Sequence, residues 1–369
     1  MAILKIKTNK RPDYFLLIIT ATLVLIGILI VSSVSTVLSL KKYGNTYSFL
    51  VHQLIFAILP GIVSLFVFYK IPLSFLKKYS FIFLLVNLVL MLMVFMPMVG
   101  TKIGGATRWV SLGPIIFQPS EFLKLTFIIY LSAWLSGRLE KEKNKKSSLI
   151  AFLIVIILIS ILLFYQPDIS TLGTIIITAI IMYFAASTPL WHNILIILLG
   201  AGGLFFLIKF SSYRSNRFLV FLRPETDPLG IGYQIKQALI AVGSGGIFGL
   251  GLGMSRQKFG FLPQTMSDSI FAIFSEEMGF VGSFVLVLLF LIFFWRGFQI
   301  SSKTKDNFQK FLSLGITFLI TIQGFIHIGS MIGILPLTGS PLPFISYGGS
   351  HLIIELASVG ILLNISKNV

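Results

Sequence analysis

Uncharged apolar runs dominate this chain, at about 14–40, 48–69, 79–99, 149–165, 169–187, 192–208 and 280–295. Most reach the roughly 17 to 25 residues that a helix needs to cross ~30 Å of hydrocarbon. Three further stretches, near 115–137, 309–333 and 350–366, carry polar residues, Gly or Pro but keep helical length. The pattern predicts an all-α integral membrane protein with about ten transmembrane helices.

Connections between the runs are short except at 209–268, a segment too long for an idle loop. Within it, Tyr233 to Met254 is apolar but holds Gly243, Gly245, Gly246, Gly249, Gly251 and Gly253. A re-entrant or broken helix packed closely on its neighbours is expected there, since irregular backbone at membrane depth must be covered by protein or line a wet cavity. A dinucleotide loop is excluded, because no strand precedes the glycines. Leu335 to Ser350, with Pro336, Pro341, Pro343, Gly339, Gly348 and Gly349, is a second irregular stretch. No internal repeat or soluble domain is evident, so residues 1–369 read as one polytopic membrane domain, with 209–268 its large extracytoplasmic loop.

Composition sharpens this reading. Of 369 residues 56% are hydrophobic and only 11% charged, which excludes an ordinary soluble domain. The first run follows Lys5, Lys7, Lys10 and Arg11 and lacks a small-residue cleavage site, so it reads as an uncleaved signal anchor with both termini cytoplasmic. Basic residues then fall on the inner segments (Lys70, Lys77, Lys78; Arg138, Lys141, Lys143, Lys145, Lys146; Arg296, Lys303, Lys305, Lys310), as the positive-inside rule requires. The net charge of +17 fits that rule and attraction to membrane lipids, not nucleic acid. With no cysteine, thiol catalysis and thiolate metal sites are excluded, and His52, His192, His327 and His351 are too scattered for a histidine metal cage.

Four acids and a lysine stand out against this background. Asp268 lies at the entrance of an apolar helix and Glu276 and Glu277 inside it, while Glu121 and Lys124 sit one turn apart in the fourth span. A carboxylate at the bilayer centre costs about 2.5 to 3.5 kcal/mol even on lenient scales, so each should be functional or paired. Glu121 and Lys124 can satisfy each other, with Lys124 also available to a glutamate of the eighth span. Helical rise puts Glu276 and Glu277 about 12 to 14 Å below Asp268, too far to share a proton transfer, so these four residues form a structural charge network. Asp168, after Gln166-Pro167, is expected to cap the sixth span.

Four ordered blocks resemble a known family: Gly105-Ala-Thr-Arg108-Trp109 with Gln118-Pro-Ser-Glu121-Phe-Leu-Lys124; Gln166-Pro-Asp168; Gly232-Tyr-Gln234 through Glu277 and Gly279; and Pro336-Leu-Thr-Gly to Ser346-Tyr-Gly-Gly-Ser350. The chain resembles the SEDS family of bacterial cell-wall polymerases (FtsW, RodA and SpoVE) from first span to last, and Gly251-Leu-Gly-Met-Ser-Arg-Gln-Lys258 looks more like its division branch, FtsW, than its elongation branch, RodA. The resemblance implies a peptidoglycan glycosyltransferase of the bacterial cytoplasmic membrane that polymerises lipid II, with a class B penicillin-binding protein as transpeptidase partner. It also implies that Asp268 is catalytic. The chain departs from the family pattern at Gln264, at Ser267 and Ser269 around the acid, and at His351, where Ser is usual.

Making a β-linked glycan from an α-linked lipid pyrophosphate inverts the anomeric centre. Direct displacement then needs a base on the acceptor hydroxyl and positive charge on the departing pyrophosphate. Asp268 suits the first role, although Ser267 or Asp268 capping the eighth span is an equally respectable use of these residue types. Arg214, Arg217, Arg223, Lys236, Arg256 and Lys258 are candidates for the second. A divalent cation could share that work, but no ligand cluster requires one, and no other cofactor is implied. Arg108 and Trp109 suit either cavity lining or interfacial anchoring. Broken helices and intramembrane charge would equally serve a lipid II flippase, and a scaffold that only activates a partner synthase is the third reading.

Overall fold

The computed structural model describes residues 11–369 apart from 98, 104, 105, 114, 140–144, 187, 210 and 211. Among the described residues the helices are α1 (Tyr14–Tyr43), α2 (Ser48–Lys70, with a π-helical stretch at Leu54–Ile58) and α3 (Leu73–Met93). After an intervening sheet come α4 (Pro119–Leu139), α5 (Lys145–Tyr165), α6 (Ile169–Ala185), α7 (Leu190–Lys209), α8 (Ser212–Leu222), α9 (Ile231–Ser244), α10 (Ile270–Lys303), α11 (Asn307–Met331) and α12 (Gly349–Ser366). Six of them, α1, α2, α3, α10, α11 and α12, are long and apolar enough to cross a bilayer, and α5, α6 and α7 contain shorter apolar stretches. With α4, which packs on α3, α6, α11 and α12, these helices number ten, consistent with the expected count of spans.

Burial explains the arrangement. Helices α11 and α12 are largely enclosed, α11 by α4, α6 and α10, and α12 by α2 and α4. By contrast α2 and α3 turn large apolar side chains such as Phe56, Phe66, Phe81 and Leu92 outward, as lipid-facing helices must. Capping fixes the helix ends: Asp13 accepts from the Leu16 amide at 3.0 Å and Asp306 from the Gln309 amide at 2.9 Å. Asp13 also pairs with Arg296 at the far end of α10 (2.6 Å), and its own amide donates to Ser366 Oγ at the end of α12 (3.0 Å). The start of α1 and the ends of α10 and α12 therefore share one face.

The structure departs from an all-α chain at 100–117. Strands β1 (Gly100–Ile103), β2 (Ala106–Leu112) and β3 (Ile115–Phe117) form an antiparallel sheet, with Thr101 opposite Trp109 and Ser111 opposite Ile116. The apolar residues that suggest a span from 115 are shared between β3 and the start of α4, and Gly113, at φ 64°, turns β2 into β3. The long segment between α7 and α10 is likewise not extended, because α8 and α9 fold within it.

Its glycine-rich end meets a break in α10. Gly279 has φ 66° and ψ −166°, which interrupts the helical bonds that would join the Phe280 and Val281 amides to the Glu276 and Glu277 carbonyls. All four orphaned groups find partners in the segment after α9. The Phe280 and Val281 amides donate to Gly246 O (2.9 Å) and Ile247 O (3.0 Å), while the Leu250 and Gly251 amides donate to Glu276 O and Glu277 O, both at 3.0 Å. Such backbone contact leaves no room for side chains: a Cβ on Gly249 would lie 2.2 Å from Glu277 O, and one on Gly279 2.2 Å from the Gly249 nitrogen.

Two outcomes check this fold. Gly249→Ala should lower folded yield and melting temperature in detergent, whereas Gly137→Ala, whose Cβ would meet nothing within 4 Å, should be neutral or stabilise by about 0.5–1 kcal/mol; equal behaviour of the two would contradict the packing. Cysteines placed at the exposed Asn216 and Leu229 should react with an impermeant thiol reagent on one side of the membrane and one at the exposed Ser302 only on the other.

Candidate active site

Asp268 sits in the turn between the glycine segment and α10, half-buried. It does not cap the helix. The N-cap position is Ser269, which makes no capping bond; its hydroxyl donates to Pro263 O (2.9 Å) and accepts from Gln234 Nε2 (3.1 Å). The proline-rich stretch after α11 holds the Asp268 turn from the other side. Ser346 Oγ donates to Ser267 O at 2.8 Å, the Tyr347 amide donates to Met266 O at 2.9 Å, and a Cβ on Gly339 would lie 3.4 Å from Asp268 Oδ2. The backbone at Gly339 therefore lies beside the carboxylate, at a distance where even a Cβ would make only ordinary contact.

Burial raises the Asp268 pKa above the usual carboxylate range, and Asp168 adds to the rise; a hydrogen bond from Ser267 and the positive charges of Arg217 and Arg108 oppose it. Those cations are held by backbone carbonyls. Arg217, on α8, donates to Leu337 O at 3.2 Å, and Arg108, on β2, donates to Gln166 O at 3.0 Å and also to Pro167 O. Arg108 thereby ties the sheet to the α5–α6 turn. Next to it Trp109 lies half-buried in β2. Asp168 is buried and caps α6 as expected, accepting from the Thr171 amide (3.4 Å), and it also accepts from Ser120 Oγ (2.8 Å) and Gln118 Nε2 (3.2 Å) at the start of α4.

The remaining candidate cations divide. Arg223, Lys236 and Arg256 are exposed, and the Arg214 side chain lies outside the described residues. Lys258, one of the six candidates for the pyrophosphate, is buried, and its Nζ lies 3.3 Å from Glu277 Oε1, 3.1 Å from Ser33 Oγ and 2.6 Å from Gly253 O. A buried lysine with three oxygens around it is committed to the fold. Among the described residues no group of three or more His, Asp and Glu side chains comes together.

The expected charge network is really two. In the first, Glu277 accepts from Lys258 and Ser33 (2.6 Å), while Glu276 accepts from Ser255 Oγ, the Arg256 amide (3.0 Å) and the Gln257 amide (3.4 Å), fastening the turn at Gln257–Phe259 to α10. In the second, Lys124 pairs with Glu121 at 2.7 Å and donates to Gln323 Oε1 at 2.8 Å. Lys124 thus serves its own helix and α11, not a glutamate of α10, because Lys258 already fills that place. Glu355, not among the residues expected at the site, is buried in α12 and accepts from the Phe344 amide at 2.7 Å; an acid inside a span demands such a partner.

Lys258→Ala should strand Glu277 in low dielectric at a cost of about 3 to 5 kcal/mol, seen as a lowered melting temperature of the purified protein. If instead Lys258→Ala melts like the parent but binds lipid pyrophosphate more weakly, the lysine faces substrate.

Comparison with known proteins agrees with this architecture. The family described as "Cell cycle protein" (FtsW, RodA and SpoVE) matches residues 14–369. Stage V sporulation protein E of Bacillus subtilis is 39% identical over 366 residues, covering 98% of this chain and 99% of its own. A protein of Trichlorobacter lovleyi named "Probable peptidoglycan glycosyltransferase FtsW" is 38% identical over 96% of this chain and 93% of its own. Among solved structures, the rod shape determining protein RodA of Thermus thermophilus aligns over 96% of both chains with TM-score 0.71 and 24% identity. A chain from a structure described as a peptidoglycan synthase complex coordinating polymerization and crosslinking aligns with TM-score 0.76 and 24% identity, over 96% of this chain and 97% of that one. By sequence along nearly its whole length and by fold, the chain belongs to the FtsW/RodA/SpoVE family.

Proposed function

We propose that this protein is a peptidoglycan glycosyltransferase that polymerises lipid II at the outer face of the bacterial cytoplasmic membrane, with Asp268 as general base. The observation that carries the reading is the setting of Asp268: an acid not spent on capping, under the positive charges of Arg217 and Arg108, on the face opposite the Asp13–Arg296 pair. Relatives at 38% and 37% identity that bear the glycosyltransferase name support the reaction class. In the proposed step the Asp268 carboxylate takes the proton of the acceptor sugar hydroxyl as its oxygen attacks the anomeric carbon. The bond to the lipid pyrophosphate breaks with inversion, and the leaving group carries away the electron pair. Arg217 and the exposed Arg223, Lys236 and Arg256 offer charge for that leaving group, Arg217 by a bidentate fork.

Service in division or sporulation rather than elongation is the finer proposal, supported by FtsW and SpoVE relatives at high coverage. A class B penicillin-binding protein is the proposed partner, and the synthase-complex neighbour is the support for it. The flippase reading is weakened by the two internal charge groups, whose members are engaged with one another.

Asp268→Asn keeps size but cannot accept the proton, so the folded variant should lose at least the ~10²-fold that a general base supplies; parental polymerisation of purified lipid II would end the assignment. The pH profile gives a second check. A base acts when ionised, and a raised pKa places the acid limb of kcat/KM at higher pH than for an exposed aspartate. Arg217→Gln removes an opposing positive charge and should move that limb higher still, while Arg217→Lys should leave it in place and lower the rate. A limb that does not move in Arg217→Gln would show that another group titrates.

A further inference from the structure

The proline-rich stretch 335–348 is bonded to the backbone of Met266 and Ser267, beside Asp268, and to polar groups of α11 and α12. Its path is not one the chain would adopt unaided, since Phe344 has φ 65°, a left-handed value that a bulky side chain disfavours. Four buried side chains hold it there. Glu355 Oε2 accepts from the Phe344 amide (2.7 Å), and His351, one turn earlier on α12, donates from Nε2 to Ser346 O (3.0 Å). From α11, Gln323 donates to Pro341 O (2.9 Å) and the His327 Nδ1 donates to Ser340 O (2.8 Å). The Gln323 amide is oriented by Lys124, which takes its Oε1 at 2.8 Å. Ser346 then links this lower anchorage to the site, accepting from the Leu342 amide (2.9 Å) while donating to Ser267 O (2.8 Å).

We infer that Glu355 and His351 are positioning residues for the transfer reaction: by fixing residues 340–347 they set the height of the Asp268 turn and hold Gly339 beside its carboxylate. The inference rests on the role proposed above for Asp268. It accounts for a titratable pair that catalysis at the outer mouth does not itself use. It also gives His351, which stands where the family pattern has Ser, a task of its own: a ring that spans 3.0 Å to the Ser346 carbonyl. Glu355 acts here as an acceptor of one amide, so its oxygen rather than its charge is what the loop requires.

Three variants test this with purified protein and lipid II. Glu355→Gln retains an oxygen for the Phe344 amide and should polymerise like the parent. Glu355→Leu removes it, and Ser346→Ala, a small change in the loop, removes the link to Ser267. Both should lower kcat by about 10-fold or more, since misplacement of about 1 Å can cost ~10²-fold, with little change in KM. Both should also move the acid limb of kcat/KM to lower pH, because a loosened Gly339 segment lets water reach Asp268 and its pKa falls toward that of an exposed aspartate. A purely structural role would reduce the amount of active enzyme and leave the limb where it was. Should Glu355→Leu not fold, Ser346→Ala carries the test alone. Parent-like rate and limb in Ser346→Ala, or a Glu355→Gln defect as large as that of Glu355→Leu, would overturn the inference. The reading of Asp268 fails separately, if the parent makes no glycan or Asp268→Asn does.

Discussion

The break in α10 at Gly279 is the constraint on which the half of the molecule that carries Asp268 depends. A helix interrupted within a membrane span exposes backbone donors and acceptors that hydrocarbon cannot satisfy, each at a cost of several kcal/mol. Here two amides and two carbonyls are released, and all four are taken up by residues 246–251. The glycine segment is therefore bound to α10 backbone to backbone, and Glu276 and Glu277, just before the break, extend the bond through side chains to Ser255 and Lys258. The turn bearing Asp268, which joins the glycine segment to α10, emerges from a rigid base.

That base explains how a carboxylate can be kept partly desolvated at the rim of a membrane protein. From one side Gln234 of α9 donates to Ser269, and from the other the turn leans on the proline-rich stretch, whose Ser346 and Tyr347 hold the backbone of Met266 and Ser267. Arg217 and Arg108 arrive from α8 and β2, each tied to a carbonyl, so their charge reaches Asp268 without occupying it. Five separate parts of the chain meet at this point, and none of them is adjacent to α10 in sequence except the turn itself.

Much of this is legible in the sequence. The apolar runs are long enough to announce the spans, the glycines of 243–253 announce a close backbone approach, and acids in apolar surroundings announce partners. The sheet at 100–117 is not legible, because Ile115, Ile116 and Phe117 run straight into the apolar face of α4 and join its pattern. Lys258 misleads for a different reason: its position in an outer loop suggests solvent and substrate, and only the fold of the glycine segment brings it beneath Glu277. Glu355 is hidden by the strength of the apolar pattern around it, and pairing it with the Phe344 amide needs knowledge of a loop conformation with φ 65° that no residue-type preference foretells.

Chemistry rather than transport at the face that carries Asp268 is what the proposed function requires. Vesicles of defined lipid carrying the purified protein, with lipid II in both leaflets, decide it by following glycan strands and transbilayer movement of lipid II together, with and without a partner synthase. The account predicts β-linked strands made at the face that carries Asp268, and no acceleration of lipid II movement over protein-free vesicles. Rapid movement of lipid II without strands, by protein shown to be folded, would contradict it.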